Sequence, residues 1–305
     1  MVKVLRKGGL ALLLLLVVVL AAGCGQPLAD AGWAAFAVAQ PTVYVGLPDG
    51  KLTALDASSG AKRWEFPADK NHLAGFYGSP LVLGERVIFG AADPASSAGK
   101  VYSVGTASGQ EATVLVSAGD LIVGSPVVSG DALYATSADH TLYAVDVNTG
   151  ASLWKFKADG ALWGSVVVDG ERIYLGSMEH SLYALDKNGQ PVWSQPFKTA
   201  GAIASAPAVN GGVVYVGDLA SQVYAVDAQT GQAVWPAPFK AKNWMWGTPV
   251  LVGDTLYAPS LDGNVYALDA KTGQERPEWR IATGGGVRAT PTVSGNVMYV
   301  ASEDK

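Results

Sequence analysis

The stretch Ser125–Phe156, SPVVSGDALYATSADHTLYAVDVNTGASLWKF, decides the fold, because its pattern returns along the whole chain. It contains four short runs rich in Val, Leu, Tyr and Trp, and residues such as Gly, Asp, Asn and Ser separate the runs. Apolar runs between such turn residues predict β-strands joined by hairpins. The unit is therefore predicted to be a four-stranded antiparallel sheet.

The tyrosine in the second run sets the period of the repeat. The equivalent positions along the chain are Tyr44, Ile88, Tyr134, Tyr174, Tyr215, Tyr257 and Tyr299. From the first to the last is 255 residues over six intervals, which gives a mean period of 42.5 residues. A four-stranded propeller blade repeats about every 40–50 residues. The chain is thus predicted to be an all-β propeller, and no segment after residue 40 has helical periodicity over a useful length.

Six complete blades and half of a seventh fit this period. The seventh blade begins at Thr290-Pro291-Thr292-Val293 and continues through Met298-Tyr299-Val300, so its third and fourth strands would lie beyond Lys305. A half blade leaves an unpaired strand edge, which proteins usually avoid. Two explanations stay open. The sequence is part of a longer propeller, or the edge takes a strand from another chain by β-augmentation.

A motif, Ala-x-Asp-x-x-(Thr/Ser)-Gly-x-x-x-Trp, joins the third and fourth strands of most blades. Its Asp can bond its own backbone and fix the turn, and its Gly permits positive φ. Its Trp can bury a large apolar area between adjacent blades. These positions are therefore predicted to dock blades rather than to bind a ligand. They are Asp56 and Trp64, Asp146 and Trp154, Asp186 and Trp193, Asp227 and Trp235, and Asp269 and Trp279.

Three blades depart from the motif. Blade 4 lacks one turn residue, and an insertion around Pro277 delays Trp279 in blade 6. Blade 2 has Ser103 and Gly105 in place of Ala and Asp, and Thr113 in place of Trp. The motif as a whole resembles the tryptophan-docking repeat of the pyrroloquinoline-quinone-type β-propellers. The resemblance covers nearly all of the chain after the N-terminal segment, and it implies the same propeller fold.

The N-terminal segment is predicted to be a targeting signal rather than part of the propeller. Three basic residues precede an apolar run of 13 residues, Leu10–Ala22. This run is shorter than the roughly 20 residues that span a membrane. It ends in Leu20-Ala21-Ala22-Gly23-Cys24, and Cys24 is the only cysteine of the chain. The arrangement resembles the lipobox of bacterial lipoproteins, with Ala21 where Leu is usual.

This second resemblance implies cleavage before Cys24 and lipidation of that residue, and an ordinary secretory signal with an incidental cysteine is the alternative. We predict a leader at residues 1–23, a lipidated tether at 24–32 and a propeller at 33–305. Removing the leader's three basic residues from the 21 Lys and Arg leaves 18 against 26 Asp and Glu, a formal charge of −8. The lipid would therefore hold the acidic body to a membrane outside the cytoplasm. Whether that membrane is the inner or the outer one stays open.

The residues just before each innermost strand should surround the mouth of the central channel. Together with a neighbouring tryptophan they define a candidate rim for a ligand or a partner. The rim consists of Trp33, Tyr77, Trp163, Trp244, Trp246 and Arg288. Aromatic rings beside an arginine can stack on a planar anionic ligand or hold an apolar side chain of a partner. The alternative is that the rings only fill the channel.

Two histidines raise the question of a metal site. His140 and His180 hold equivalent hairpin turns in neighbouring blades, beside Asp139 and Glu179. No spacing typical of metal ligands accompanies them, and His is tolerated at turns with positive φ. We therefore predict neither a metal nor a cofactor.

The resemblance implies two classes of function. Quinoprotein dehydrogenases use the quinone with a calcium ion and an Asp base, often with a disulfide between adjacent cysteines, and they are much longer than this chain. A lipid-tethered propeller of this repeat type is also similar to the β-barrel assembly scaffold lipoprotein of the bacterial outer membrane, which holds partner proteins and binds no cofactor. This chain has one cysteine and so cannot form a disulfide between adjacent cysteines, which favours the second class.

We therefore predict a non-catalytic, lipid-anchored scaffold that binds a protein partner in the cell envelope. A sensor for a quinone-like small molecule is the alternative, followed by a pyrroloquinoline-quinone-dependent dehydrogenase. Nucleic acid is not a predicted partner, because the body of the chain contains no cluster of Lys and Arg.

Overall fold

The structure is a computed structural model that describes residues 2–4, 36–68, 72–96 and 98–304. Most of the predicted leader, the tether with Cys24, and Trp33 lie outside these residues. Within the described residues the chain contains one short 3₁₀ turn, Pro277–Trp279. No helix there is long and apolar enough to cross a membrane.

The strands follow the predicted repeat. The first strand, β1 (Val2–Val4), joins the last sheet. Blade 1 contains β2 (Phe36–Ala39), β3 (Thr42–Gly46), β4 (Leu52–Asp56) and β5 (Lys62–Phe66). Blade 2 contains β6 (Leu81–Leu83), β7 (Arg86–Ala92), β8 (Gly99–Gly105) and β9 (Thr113–Ser117). Blade 3 contains β10 (Val127–Ser129), β11 (Ala132–Thr136), β12 (Thr141–Asp146) and β13 (Ser152–Lys157).

The next three blades keep this order with shorter fourth strands. Blade 4 contains β14 (Val167–Asp169), β15 (Arg172–Gly176), β16 (Ser181–Asp186) and β17 (Phe197–Lys198). Blade 5 contains β18 (Ala208–Asn210), β19 (Val213–Gly217), β20 (Gln222–Asp227) and β21 (Phe239–Lys240). Blade 6 contains β22 (Val250–Val252), β23 (Thr255–Pro259), β24 (Asn264–Asp269) and β25 (Ile281–Ala282). All neighbouring strands are antiparallel, which confirms six complete blades of a β-propeller.

The seventh sheet is incomplete, as the repeat predicts. It contains β26 (Thr292–Ser294) and β27 (Val297–Ala301), and β1 lies along the outer edge of β27. Val2 lies opposite Ala301 and Val4 lies opposite Tyr299. The sequence left two explanations open for this edge, continuation in a longer propeller or a strand taken from another chain. In the structure, three residues of the predicted leader form a short third strand beside β27. Their extended backbone pairs with the N–H and C=O groups along the edge of β27.

The hydrophobic core lies between neighbouring blades rather than within one of them. Tyr44 and Leu52 of blade 1, for example, pack in one cluster with Val87 and Phe89 of blade 2. Each blade has apolar residues on both faces of its two central strands, so it cannot bury them without its neighbours. The stability of the ring therefore depends on contacts between successive blades.

Candidate functional site

The residues before the innermost strands converge around one cavity, as the phase of the repeat predicts. The cavity has a volume of about 270 Å³. Four of the predicted rim residues line it, namely Tyr77, Trp163, Trp246 and Arg288. Trp33, the rim residue expected from blade 1, lies outside the described residues.

Three tryptophans form a continuous aromatic surface at this cavity. The ring centroids of Trp163 and Trp246 lie 6.4 Å apart in an edge-to-face arrangement. The rings of Trp244 and Trp246 lie 6.3 Å apart and are nearly parallel, with 24° between their planes. Trp244 does not line the cavity, and 46% of its surface is exposed. It therefore extends the aromatic surface from the cavity towards solvent.

Arg288 adds a positive charge beside these rings. Its guanidinium carbon lies 5.3 Å from the ring centroid of Trp246, which is a cation–π distance. Its Nε also forms an ion pair with Glu303. Because about half of each side chain is exposed, solvent screens this ion pair. The rim can thus meet either an apolar side chain or a group with negative charge.

Hydroxyl groups beneath the rim connect successive blades. The backbone N–H of Ser79 donates to Oγ of Ser125, and the N–H of Ser125 donates to Oγ of Ser165, both at 2.8 Å. The Oγ of Ser205, in the next blade, is buried and has no hydrogen-bond partner within the described part of the chain. These bonds were not predicted from the sequence, although a Ser before the inner strand of blades 2 to 5 and a Thr in blades 6 and 7 were visible signals.

Carboxylates in the hairpin turns accept hydrogen bonds from the segments that connect one blade to the next. Asp139 accepts hydrogen bonds from the backbone N–H of Gly119 at 2.7 Å and from the hydroxyl of Tyr143 at 2.6 Å. Burial opposes ionisation of Asp139, but these hydrogen bonds outweigh it and hold its pKa below the usual range. Burial and the bond to Asp139 raise the pKa of Tyr143 to about 12. These groups are structural, since each acceptor already has its donors.

In blade 4 a carboxylate at a different position accepts the structural hydrogen bonds. Its turn carries Glu179, and the carboxylate comes instead from Asp159 in the preceding connection. Asp159 accepts hydrogen bonds from Oγ of Ser177 at 2.7 Å and from Nζ of Lys198 at 2.9 Å, as well as from Ser181. Burial works against the charge on Asp159, yet these bonds hold its pKa well below the usual range.

The two histidines occupy strained turn positions. The φ angle is 70° at His140 and 62° at His180, in the left-handed region that the sequence indicated. Within the described ranges, no group of three or more His, Cys, Asp and Glu side chains is arranged to hold a metal ion.

The motif aspartates form the turns between the third and fourth strands. Oδ1 of each accepts the backbone N–H of the residue two positions later, at 2.8–3.1 Å. These residues are Asp56, Asp146, Asp186, Asp227 and Asp269.

Four motif tryptophans lie against the next blade in one common geometry. The indole Nε1 donates to the carbonyl of the residue that follows the Asp position of that blade. The pairs are Trp64 with Thr106 at 2.8 Å, Trp154 with Lys187 at 2.7 Å, Trp193 with Ala228 at 3.1 Å and Trp235 with Ala270 at 3.0 Å. Each ring also covers the motif glycine of the next turn, where a Cβ atom would lie 2.5–2.7 Å from the ring.

Trp279 does not share this geometry. It lies in the 3₁₀ turn created by the insertion around Pro277, and 44% of its surface is exposed. The guanidinium carbon of Arg276 lies 5.3 Å from the centroid of its ring. The insertion therefore moves this side chain away from the position that the repeat predicts for it.

Comparison with known sequences gives the family. A sequence model of the family described as outer membrane protein assembly factor BamB matches residues 17–112, 138–237 and 219–305. The chain belongs to this family. No curated protein matches it. BamB from Moraxella catarrhalis has a similar crystal structure, with 20% sequence identity and a TM-score of 0.69 over 88% of this chain and 84% of that one.

Other solved structures share the BamB-type fold. A quinohemoprotein alcohol dehydrogenase from Pseudomonas putida HK5 has 17% identity and a TM-score of 0.67, over 88% of this chain but 62% of its own. The computationally designed protein Ika8 has 16% identity and a TM-score of 0.61, over 90% of this chain and 94% of its own. At these identities the likeness shows the fold alone.

The residues of the central cavity do not fit the cofactor chemistry of the dehydrogenases. A quinone that works with a metal ion needs oxygen ligands for the metal, chiefly carboxylates. The described residues that line the cavity include hydroxyls, small residues, aromatic rings and Arg288, and among them there is no carboxylate, carboxamide or imidazole.

Proposed function

We propose that this chain is a non-catalytic scaffold of the cell envelope and that the rim of Tyr77, Trp163, Trp244, Trp246 and Arg288 binds its protein partner. The family description, outer membrane protein assembly factor, supports a partner that takes part in assembling outer membrane proteins. The observation that carries the proposal is the stacked pair of Trp244 and Trp246 with Arg288 beside it. Tryptophan and arginine are the residue types enriched in the energetic centres of protein interfaces.

The proposal includes the anchor predicted from the sequence. Residues 1–23 would be removed as a leader, a lipid on Cys24 would hold the protein to a membrane, and residues 24–32 would form the tether. A Cys24→Ser variant should lose its membrane association and appear in the soluble envelope fraction. A variant that stays fully in the membrane fraction would contradict this part of the proposal.

Site-specific photo-crosslinking tests the rim. A benzoylphenylalanine at position 244 of the full chain should form an adduct with an envelope protein in cells. The same probe at Leu153 is the matched control, because that side chain is 52% exposed but lies on the outer strand of blade 3. The adduct at position 244 should disappear when Trp246 is also replaced by Ala. Equal adducts at both positions, or none at position 244, would contradict a partner site at the rim.

A small-molecule sensor is the second candidate function. The buried Oγ of Ser205, which has no partner in the described residues, and Arg288 both face the central cavity. Thermal unfolding of the full chain with and without pyrroloquinoline quinone and Ca²⁺ distinguishes the candidates. A ligand present at about 100 times its Kd adds about 2.7 kcal/mol of stability. A clear upward shift of the Tm would favour the sensor, whereas the scaffold predicts an unchanged Tm.

A further inference from the structure

The junction between blades 2 and 3 lacks the aromatic pair present at four other junctions. At those junctions the tyrosine of the second strand lies against the docking tryptophan, with ring centroids 5.6–6.0 Å apart. In blade 2 the corresponding residues are Ile88 and Thr113. Both rings are therefore missing from one junction of an otherwise regular repeat.

Two residues of blade 2 make contacts that the docking indole makes at the other junctions. Leu115 occupies a β-bulge of β9 and lies against Gly150 of blade 3, with its Cδ2 at 3.6 Å and its Cα at 3.3 Å from the place where a Cβ of Gly150 would be. Nη1 of Arg86 donates to the carbonyl of Val147 at 2.8 Å. This carbonyl follows Asp146 and is equivalent to the carbonyls that accept the indole N–H at the other junctions. Nη2 of Arg86 donates to Oδ1 of Asn148 at 2.9 Å.

These replacements leave a cavity of about 320 Å³ at the junction. Val104 and Leu115 border it as nearly fully buried apolar side chains, and Arg86 supplies a guanidinium whose hydrogen bonds hold it in place. The carboxylates of Glu85 and Glu111 also belong to the lining. None of these residues lines the central cavity, so the junction is a separate feature from the rim.

We propose that this open junction binds an aromatic side chain, Trp or Tyr, carried by a partner protein. The ring would enter the cavity beside Thr113, the residue that stands where the docking Trp stands in the regular blades. It would lie on Val104 and Leu115 with the guanidinium of Arg86 over its face, as Arg288 lies over Trp246 in this same chain. The N–H or O–H of the ring can donate a hydrogen bond to the carboxylate of Glu85 or Glu111.

N-acetyl-L-tryptophanamide is the probe for this site, because it carries the ring without a partner protein. Its binding to the full chain is measured by saturation-transfer NMR, with N-acetyl-L-leucinamide and N-acetyl-L-argininamide as comparison probes. The tryptophan probe should bind saturably and the other two should not. The Thr113→Trp variant, which places the chain's own indole at the junction, should abolish binding. Leu153→Ala, on the outer strand of blade 3, should leave binding unchanged.

A second variant keeps the test decisive if Thr113→Trp does not fold. Arg86→Gln can still donate a hydrogen bond to the carbonyl of Val147 but loses the charged guanidinium, so it should weaken binding of the probe. Far-ultraviolet circular dichroism checks the fold of each variant. No saturable binding, or binding that persists unchanged in folded Thr113→Trp and Arg86→Gln variants, would overturn the proposal. Preference for the arginine probe would overturn it in favour of a basic ligand.

Discussion

The indole Nε1 of Trp235 donates a hydrogen bond of 3.0 Å to the backbone carbonyl of Ala270, and this bond joins blade 5 to blade 6. The carbonyl lies directly after Asp269, whose side chain forms the turn. The hydroxyl of Tyr215 donates to the same carbonyl at 3.1 Å. Four copies of the motif thus have two roles, because the Asp and Gly of the motif shape a turn and its Trp binds the equivalent turn of the next blade.

Removing the ring of Trp235 should destabilise the propeller strongly. Trp235 is 3% exposed, and a buried Trp→Ala change costs about 3–5 kcal/mol. Trp235→Phe should recover most of this loss and leave a deficit of about 1 kcal/mol for the hydrogen bond. Urea unfolding measures both changes in the free energy of unfolding. Trp279→Ala is the control and should cost about 1 kcal/mol or less, because that ring is exposed. Equal losses at the two positions would contradict the docking geometry.

Gly273 should tolerate a methyl group less well than Gly253. Both residues have positive φ, 74° and 62°, so an Ala at either position has the left-handed cost of about 1–2 kcal/mol. A Cβ on Gly273 would also lie 2.6 Å from Cδ2 of Trp235, whereas a Cβ on Gly253 would have no atom within 4 Å. Gly273→Ala should therefore lose a further 1–3 kcal/mol, roughly, from overpacking. Similar urea midpoints for the two variants would show that the ring can move aside.

The repeat made most of the fold predictable, because each blade is built from local signals and from contacts with its neighbour. The Asp and Gly of the motif act within one turn, and the period places the residue before each inner strand at the channel. This is why Tyr77, Trp163 and Arg288 could be assigned to one rim before their contacts were known.

Other features depend on contacts that no local pattern encodes. In blade 4, Asp159 takes the role that a carboxylate of the hairpin turn has in blade 3. It accepts a hydrogen bond from Lys198, which lies 39 positions away. The bond from Arg86 to Val147 spans 61 residues, and in blade 2 it is made without the Tyr and Trp that accompany the equivalent arginine in blade 4. The sequence marked blade 2 as a departure but gave no sign of which residue would replace the indole.

Acid should weaken blade 4 through Asp159. Its pKa is held below the usual range in the folded state, so its contribution to stability is complete above the unfolded pKa of about 3.9. The contribution is lost progressively as the pH falls from that value towards the lower pKa of the folded state, because over this range the unfolded chain binds a proton at Asp159 and the folded chain does not. Urea midpoints measured from pH 7 to pH 3 should therefore fall for the wild-type chain.

Asp159→Asn tests this explanation, and Asp131→Asn is the control, since Asp131 lies in an exposed turn. The Asp159 variant should be less stable at pH 7 and should lose less stability on acidification than the wild-type chain. The Asp131 variant should follow the wild-type curve. Parallel curves for all three proteins would assign the acid sensitivity to other carboxylates.

Arg86 and Arg172 occupy equivalent positions at the starts of β7 and β15, yet their removal should have unequal effects. At the junction of blades 4 and 5 the carbonyl of Ala228 accepts hydrogen bonds from Arg172, from the hydroxyl of Tyr174 at 3.2 Å and from Nε1 of Trp193 at 3.1 Å. In blade 2 neither ring is present, and Arg86 is the side chain that reaches the carbonyl of Val147.

Arg86→Ala should therefore lower the free energy of unfolding by about 1–3 kcal/mol, because it leaves a carbonyl at the blade junction without its donor. Arg172→Ala should cost about 1 kcal/mol or less, since two donors remain at the carbonyl of Ala228. Urea unfolding of both variants under one set of conditions measures the difference. If Arg172→Ala proved the more damaging of the two, the guanidinium of Arg86 would not be the substitute for the missing indole. The larger loss at Arg86 would show instead that one arginine holds blade 3 against blade 2 where a tryptophan does so elsewhere.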